Sequence, residues 1–185
     1  MINRAQNGFL NKNKIEMNEI KLRDININDD QELFEIYSDP KVCEYFDFKA
    51  YTNLKEAQDQ ILKWENLKEE KKQIRYGIDL NNKLIGTCGI YSIYWHQERA
   101  SLGYDLNSNY WNKGIMTKSI IQLLKKIKKE YNLHRIQATV LEGNTNSKKV
   151  LHKIGFEKEG ILRDYEKWQG HFVNLEIYSK ILRSK

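Results

Sequence analysis

Arg99-Ala100-Ser101-Leu102-Gly103-Tyr104-Asp105-Leu106, followed closely by Asn109-Tyr110-Trp111-Asn112-Lys113-Gly114-Ile115-Met116-Thr117, is the stretch that decides the fold. The first run alternates like a strand, and the second is a glycine-bearing turn that opens a helix. Main-chain N–H groups at a helix N-terminus, with the positive end of the dipole behind them, bind phosphate without a dedicated side chain. Further on, Asn144-Thr145-Asn146-Ser147 caps another helix, which ends at Gly155-Phe156. Two such turns beside one strand suggest a protein that holds a long phosphorylated cofactor.

Outward from that stretch the pattern extends in both directions. The helix from Gly114 carries Met116, Ile120, Leu123 or Leu124, Ile127 and Tyr131 on one face. A strand over Arg135 to Leu141 follows, then a helix over Thr145 to Ile154, then strands over Phe156 to Tyr165 and Phe172 to Leu182 with Gly170 in the turn. Upstream, Ile20, Leu22 and Ile25 suggest a first strand. Asn28 or Asp29 caps a helix through Leu33, Phe34, Ile36 and Tyr37 that ends before Pro40, and Thr52 with Glu56 starts a second one to about Lys68. Ile74, Tyr76 and Ile78 then alternate, and Asn81-Asn82 turns the chain into a strand from Lys83 to Tyr94. The expected architecture is α+β: a mixed, mostly antiparallel central sheet of about seven strands flanked by four helices. Residues 1–17 are expected to be a flexible extension and residues 18–185 a single domain.

The chain has 185 residues, long enough for one substantial core. No run reaches the roughly 18 apolar residues of a membrane span, and the N-terminus lacks a signal-type apolar segment, so a cytoplasmic protein is expected. Cys43 and Cys88 are too few and too isolated for a disulfide framework. The net charge of +6 is densest at Lys125-Lys126-Ile127-Lys128-Lys129, but these lysines end a helix, where they complement its dipole. No aromatics interleave with them as in a base-stacking surface, so no nucleic-acid partner is expected. The histidines His96, His134, His152 and His171 are dispersed, and no metal is expected.

The order of elements, the Trp111-x-x-Gly114-x-Met116 turn and the Asn144-x-x-Ser147 segment leading to Gly155-Phe156 resemble the GNAT acetyltransferase superfamily. Within it they are most similar to the RimJ/RimL-like branch of ribosomal-protein N-acetyltransferases. The resemblance spans about residues 18 to 183. It implies acetyl-CoA as co-substrate and a primary amine as acceptor, most naturally a protein N-terminal α-amine. A small-molecule amine, such as an antibiotic or polyamine, is the alternative, as is a CoA-binding sensor that has lost the chemistry. Assembly as a homodimer is left open.

By the same resemblance, Trp111 opens the acyl-CoA turn, and the main chain of Asn112, Lys113, Gly114, Ile115, Met116 and Thr117 holds the pyrophosphate. Met116 is larger than usual there. Tyr104, Asp105 and Leu106 line the pantetheine arm as a pseudo-strand, one N–H stabilising the oxyanion, and Asn144 hydrogen-bonds the arm. Ser147 takes the place of the tyrosine that many relatives carry seven residues after the asparagine, where this chain has Leu151. Lys153, with Lys148 and Lys149, is placed to meet the 3′-phosphate. Phe46, Phe48, Tyr91, Trp168 and also Tyr45, Tyr94 and Trp95 are expected around the acceptor cleft.

The strand glutamate that relatives use as a base would fall at Ser101, which cannot do that work. Asp105, Glu176 and Glu98 are the remaining carboxylates on the expected late strands. An α-amine with pKa near 7.8 costs only about 1 kcal/mol to deprotonate at pH 7, against about 4.6 for a lysine, so a site without a strong base is better matched to the α-amine.

Overall fold

In the computed structural model, which describes residues 20–182, the chain forms one seven-stranded sheet in the order β1-β2-β3-β4-β5-β7-β6. The strands are β1 (Lys21–Arg23), β2 (Gln73–Leu80), β3 (Lys83–Tyr94), β4 (Arg99–Leu106), β5 (Arg135–Leu141), β6 (Glu157–Trp168) and β7 (His171–Ile181). Only β4 and β5 run parallel; every other neighbouring pair is antiparallel. The expected extension over residues 1–17 lies outside the described residues.

The helices are α1 (Asp30–Tyr37), α2 (Pro40–Cys43), α3 (Leu54–Glu69), α4 (Ile115–Glu130) and α5 (Thr145–Lys153). The expected four become five because Pro40 is a start as well as a stop. It follows Asp39, whose side chain accepts from the Lys41 N–H, and proline at the first helical position loses no hydrogen bond. At α3 the cap is Asn53, one residue later than expected, with Glu56 reaching back to the Asn53 and Thr52 N–H groups.

Two apolar layers cover the sheet. On one face α4 and α5 bring Ile115, Ile120, Leu123, Ile127 and Leu151 onto Ile85, Ile90, Leu102 and Ile136. Each such buried side chain is worth about 1.5–3 kcal/mol. On the other face α1, α2 and α3 contribute Leu33, Ile36, Tyr37, Val42, Ile61 and Trp64. Trp111 packs against both clusters, and its indole N–H donates to the Leu106 carbonyl at 2.7 Å. β6 ends the sheet and pairs with β7 as far as Trp168↔His171, around the turn at Gln169 and Gly170, both at positive φ. That hairpin is longer than the sequence suggested, where the first strand stopped at Tyr165.

Candidate active site

β4 is zipped to β3 from Leu106 back to Arg99, but it is joined to β5 only where Arg99–Ser101 face Arg135–Gln137. Beyond Ser101 the two strands part. The Asn107 N–H donates to Ile85, and the Asp105 carbonyl also lies on the β3 side. By strand alternation the Tyr104 and Leu106 main-chain groups therefore face the gap. The Leu106 carbonyl is taken by the Trp111 indole, so Tyr104 offers an open N–H and C=O and Leu106 an open N–H.

The gap is closed at one end by the start of α4. Gly114 caps that helix at φ 74°, a conformation an L side chain adopts only at a cost, and no side chain caps its leading N–H groups. Asn112, also at positive φ, lies just before it. Met116, expected to crowd the cofactor's path, turns into the main core instead and is buried with Ile115. The Lys113 ammonium folds back onto the Asn109 carbonyl at 2.9 Å, and Thr117 is half-buried in the first turn. An open β4 edge leading to an uncapped helix N-terminus is a shape that a phosphorylated cofactor with an amide-bearing arm fits.

On the other side of the gap, Asn144 caps α5 by accepting from the Ser147 N–H at 3.0 Å. Ser147 lies at the mouth of the gap, with its Oγ 2.6 Å from the Tyr104 phenol oxygen. Lys153 is exposed in the last turn of α5. Lys148 points elsewhere: its ammonium meets Glu176 at 2.8 Å and the Glu142 carbonyl, so it is committed to the protein and not to a phosphate.

The two carboxylates put forward as bases occupy positions that argue against that role. Asp105 is buried on the face opposite Tyr104. It is ion-paired with Arg75 at 2.6 Å and accepts from the Tyr37 hydroxyl at 2.8 Å, the Thr87 hydroxyl at 2.6 Å and the Thr87 N–H at 3.1 Å. Both of its oxygens are engaged inside the protein, with an ion pair and three hydrogen bonds holding the carboxylate in the buried layer. Burial, and next the Asp105 charge, push the Tyr37 phenol well above its ordinary value and keep it a donor. Glu176, on β7, would be raised by burial, but hydrogen bonds from Lys148, Tyr178 and Lys158 outweigh that and hold it at about 2. A carboxylate that weak cannot take a proton from an ammonium ion. Glu98, in the turn before β4, accepts from the Asn132 side chain.

Glu166, which the sequence reading passed over, has the opposite character. It lies on β6 opposite Val173, half-buried, and among the described residues no cation pairs with it. Burial, and next the Asp47 carboxylate, raise its pKa from the ordinary value. Its charge is also felt by Tyr91, whose ring stands 3.2 Å from where a Gly103 side chain would begin. Glu166 is thus close enough to Tyr91 for its charge to act there. Trp168, two residues on and on the same side of its strand, donates to the Phe46 carbonyl at 3.1 Å. With Phe46, Phe48, Cys43, Glu44 and Asp47 it lines an open cleft of about 600 Å³ between α2 and the β6–β7 turn. Phe46 and Phe48 stack at 5.0 Å, and Tyr45 donates to Gly143 on the lip. Tyr94 and Trp95 lie away from this cleft, packed on Arg99 and Tyr131.

Comparison with known proteins agrees with this geometry. Residues 19–157 match the acetyltransferase (GNAT) domain family. The chain is 35% identical over 166 residues, 89% of its length and 93% of the relative's, to p20, an uncharacterized N-acetyltransferase of Bacillus licheniformis. Among solved structures, the ribosomal-protein-S5-alanine acetyltransferase of Vibrio fischeri superposes with a TM-score of 0.78 at 25% identity, covering 88% of this chain and 93% of that one. The microcin C7 self-immunity acetyltransferase MccE, solved with acetyl-CoA and AMP, shares the fold with a TM-score of 0.83 at 23% identity, covering 94% and 98%. The chain thus belongs to the GNAT acetyltransferase family, as an N-acetyltransferase whose acyl donor is acetyl-CoA.

Proposed function

We propose that the protein transfers the acetyl group of acetyl-CoA to the N-terminal α-amine of a protein or peptide in the cytoplasm. The observation that carries this reading is Glu166, a carboxylate of raised basicity near an open, aromatic-lined cleft of about 600 Å³. A carboxylate whose pKa is raised is closer in strength to an α-ammonium near pKa 7.8 than to a lysine near 10.4. The fold neighbour that acts on the alanine of ribosomal protein S5 supports the same acceptor class.

In this reading Glu166 accepts the proton of the α-ammonium, directly or through one water, and the cleft orients the free amine toward β4. The Tyr104 N–H stabilises the oxyanion as the amine attacks the thioester carbon. The N–H groups from Asn112 to Thr117, in the turn before α4 and its first turn, hold the pyrophosphate, Asn144 steadies the arm with its remaining amide group, and Lys153 meets the 3′-phosphate. Ser147 hydrogen-bonds the departing sulfur, which takes its proton from water. The domain formed by residues 18–185 carries all of these groups.

The test is label tracing. Extract from the source cell is incubated with isotopically labelled acetyl-CoA, with and without the protein, and labelled products are identified by mass spectrometry. The expected result is label on a small set of protein N-termini. Label confined to lysine side chains or to a small amine overturns the acceptor assignment.

A further inference from the structure

Tyr104 has a side chain with no assigned part in the chemistry. Its main chain belongs to β4 where that strand leaves β5, and its ring crosses to the start of α5. There the phenol oxygen lies 2.6 Å from Ser147 Oγ and 3.3 Å from the Ser147 carbonyl oxygen. The ring packs against the main core, and the Ser147 main chain is anchored by Asn144. Helix and cap therefore place the serine oxygen and leave the two hydroxyl hydrogens to choose, the phenol's between the near Ser147 Oγ and the more distant Ser147 carbonyl.

We propose that Tyr104 is a positioning residue: its O–H donates to Ser147 Oγ and so turns the serine's own hydrogen toward the sulfur in the β4–β5 gap. The inference rests on the role proposed above for Ser147. A serine hydroxyl has one hydrogen and two lone pairs, and at 2.6 Å one of the two oxygens must donate. If Ser147 donated to the phenol, it would have nothing left for the sulfur. A phenol, with pKa about 10, is the stronger donor of the two. Burial pushes this one up to about 12, against the smaller opposing effect of Ser147, so it keeps its hydrogen throughout the working range. The step balances without proton loss from either residue. The amine nitrogen, whose ammonium proton has already passed to Glu166, bonds to the carbonyl carbon, the C–S bond breaks with its electron pair passing to sulfur, the second N–H proton passes to solvent water, and water returns a proton to the thiolate.

The test uses the full-length protein, wild type and Tyr104→Phe, Ser147→Ala and the double variant. Two measurements are made. One is thiol release from acetyl-CoA with a pool of short peptides bearing free N-termini. The other is the ultraviolet thiolate absorbance of bound CoA at one fixed pH, which needs no acceptor. Phenylalanine fills the same space, and a thermal melt confirms that each variant is folded. Expected are a fall in kcat of about tenfold for Tyr104→Phe with KM for acetyl-CoA within about twofold, and no further fall when it is added to Ser147→Ala. Bound CoA should also show less thiolate in Tyr104→Phe than in wild type. Unchanged thiolate absorbance in Tyr104→Phe overturns the inference, as do additive losses or a raised KM with kcat intact. If Ser147→Ala turns over like wild type, the serine's role fails and this inference falls with it. If Ser147→Ala is slow while Tyr104→Phe is normal, the inference alone falls.

Discussion

Tyr104 and Asp105 are adjacent on one strand yet belong to opposite worlds. Asp105 looks into the layer under α1 and α3, where Arg75, Tyr37 and Thr87 engage both of its oxygens. Tyr104 looks the other way, to the start of α5, and its main chain faces a gap with no strand partner. A charged group at the first position is neutralised and becomes structure, whereas open hydrogen-bonding groups at the second are available for binding. Charge in itself is therefore a poor guide to where chemistry happens; unsatisfied hydrogen-bonding capacity is a better one.

The hardest way to break that contrast is Asp105→Asn. It keeps the shape but leaves Arg75 buried without its counter-charge, and should cost about 3 kcal/mol of stability by denaturant unfolding. If stability is unchanged and only turnover falls, Asp105 belongs to the chemistry after all. Next comes Glu166→Gln, which should lower kcat about a hundredfold while leaving the melting temperature near wild type. The wild-type rate should rise with pH through a limb displaced upward from that of an ordinary glutamate, because Glu166 must lose its proton to act and its pKa is raised. The variant should lack that limb.

Glu176 supplies a comparison of opposite sign. Its folded pKa, about 2, lies below that of an unfolded glutamate, so its contribution to stability is present above about pH 4.3 and is lost as pH falls toward 2. Glu176→Gln should cost about 2 kcal/mol at pH 7, flatten that acid limb, and leave kcat largely intact. The smallest effect is expected at the helix turn. Gly114→Ala puts a side chain at φ 74° and should cost about 1 kcal/mol, with a weaker affinity for CoA by calorimetry. Unaltered affinity there would separate the turn's shape from its binding role.

The elements were legible where short-range rules apply. β5 runs from Arg135 to Leu141 as its alternation indicated, and the Asn81-Asn82 hairpin forms with both residues at positive φ. The separation of β4 from β5 left a trace too, in the turn and helix that must follow an open strand end. The short helix α2 was missed because a proline was read only as an ending. Glu166 was missed because the expected strand stopped at Tyr165, one residue short, which put the carboxylate in a turn. A hairpin signal was present in Gln169-Gly170, and extending the strand to that turn would have found it.

What the sequence determined by itself, then, is the order of elements and the family. These depend on hydrogen bonds and apolar periods within a few tens of residues. Which carboxylate keeps its lone pairs was decided only by tertiary structure. Arg75 reaches Asp105 from 30 positions away and Lys148 reaches Glu176 from 28, while Glu166 is raised first by burial and then by Asp47, far back in the chain. A carboxylate's strength is set by whatever charge and solvent surround it, and nothing local in the chain specifies those neighbours.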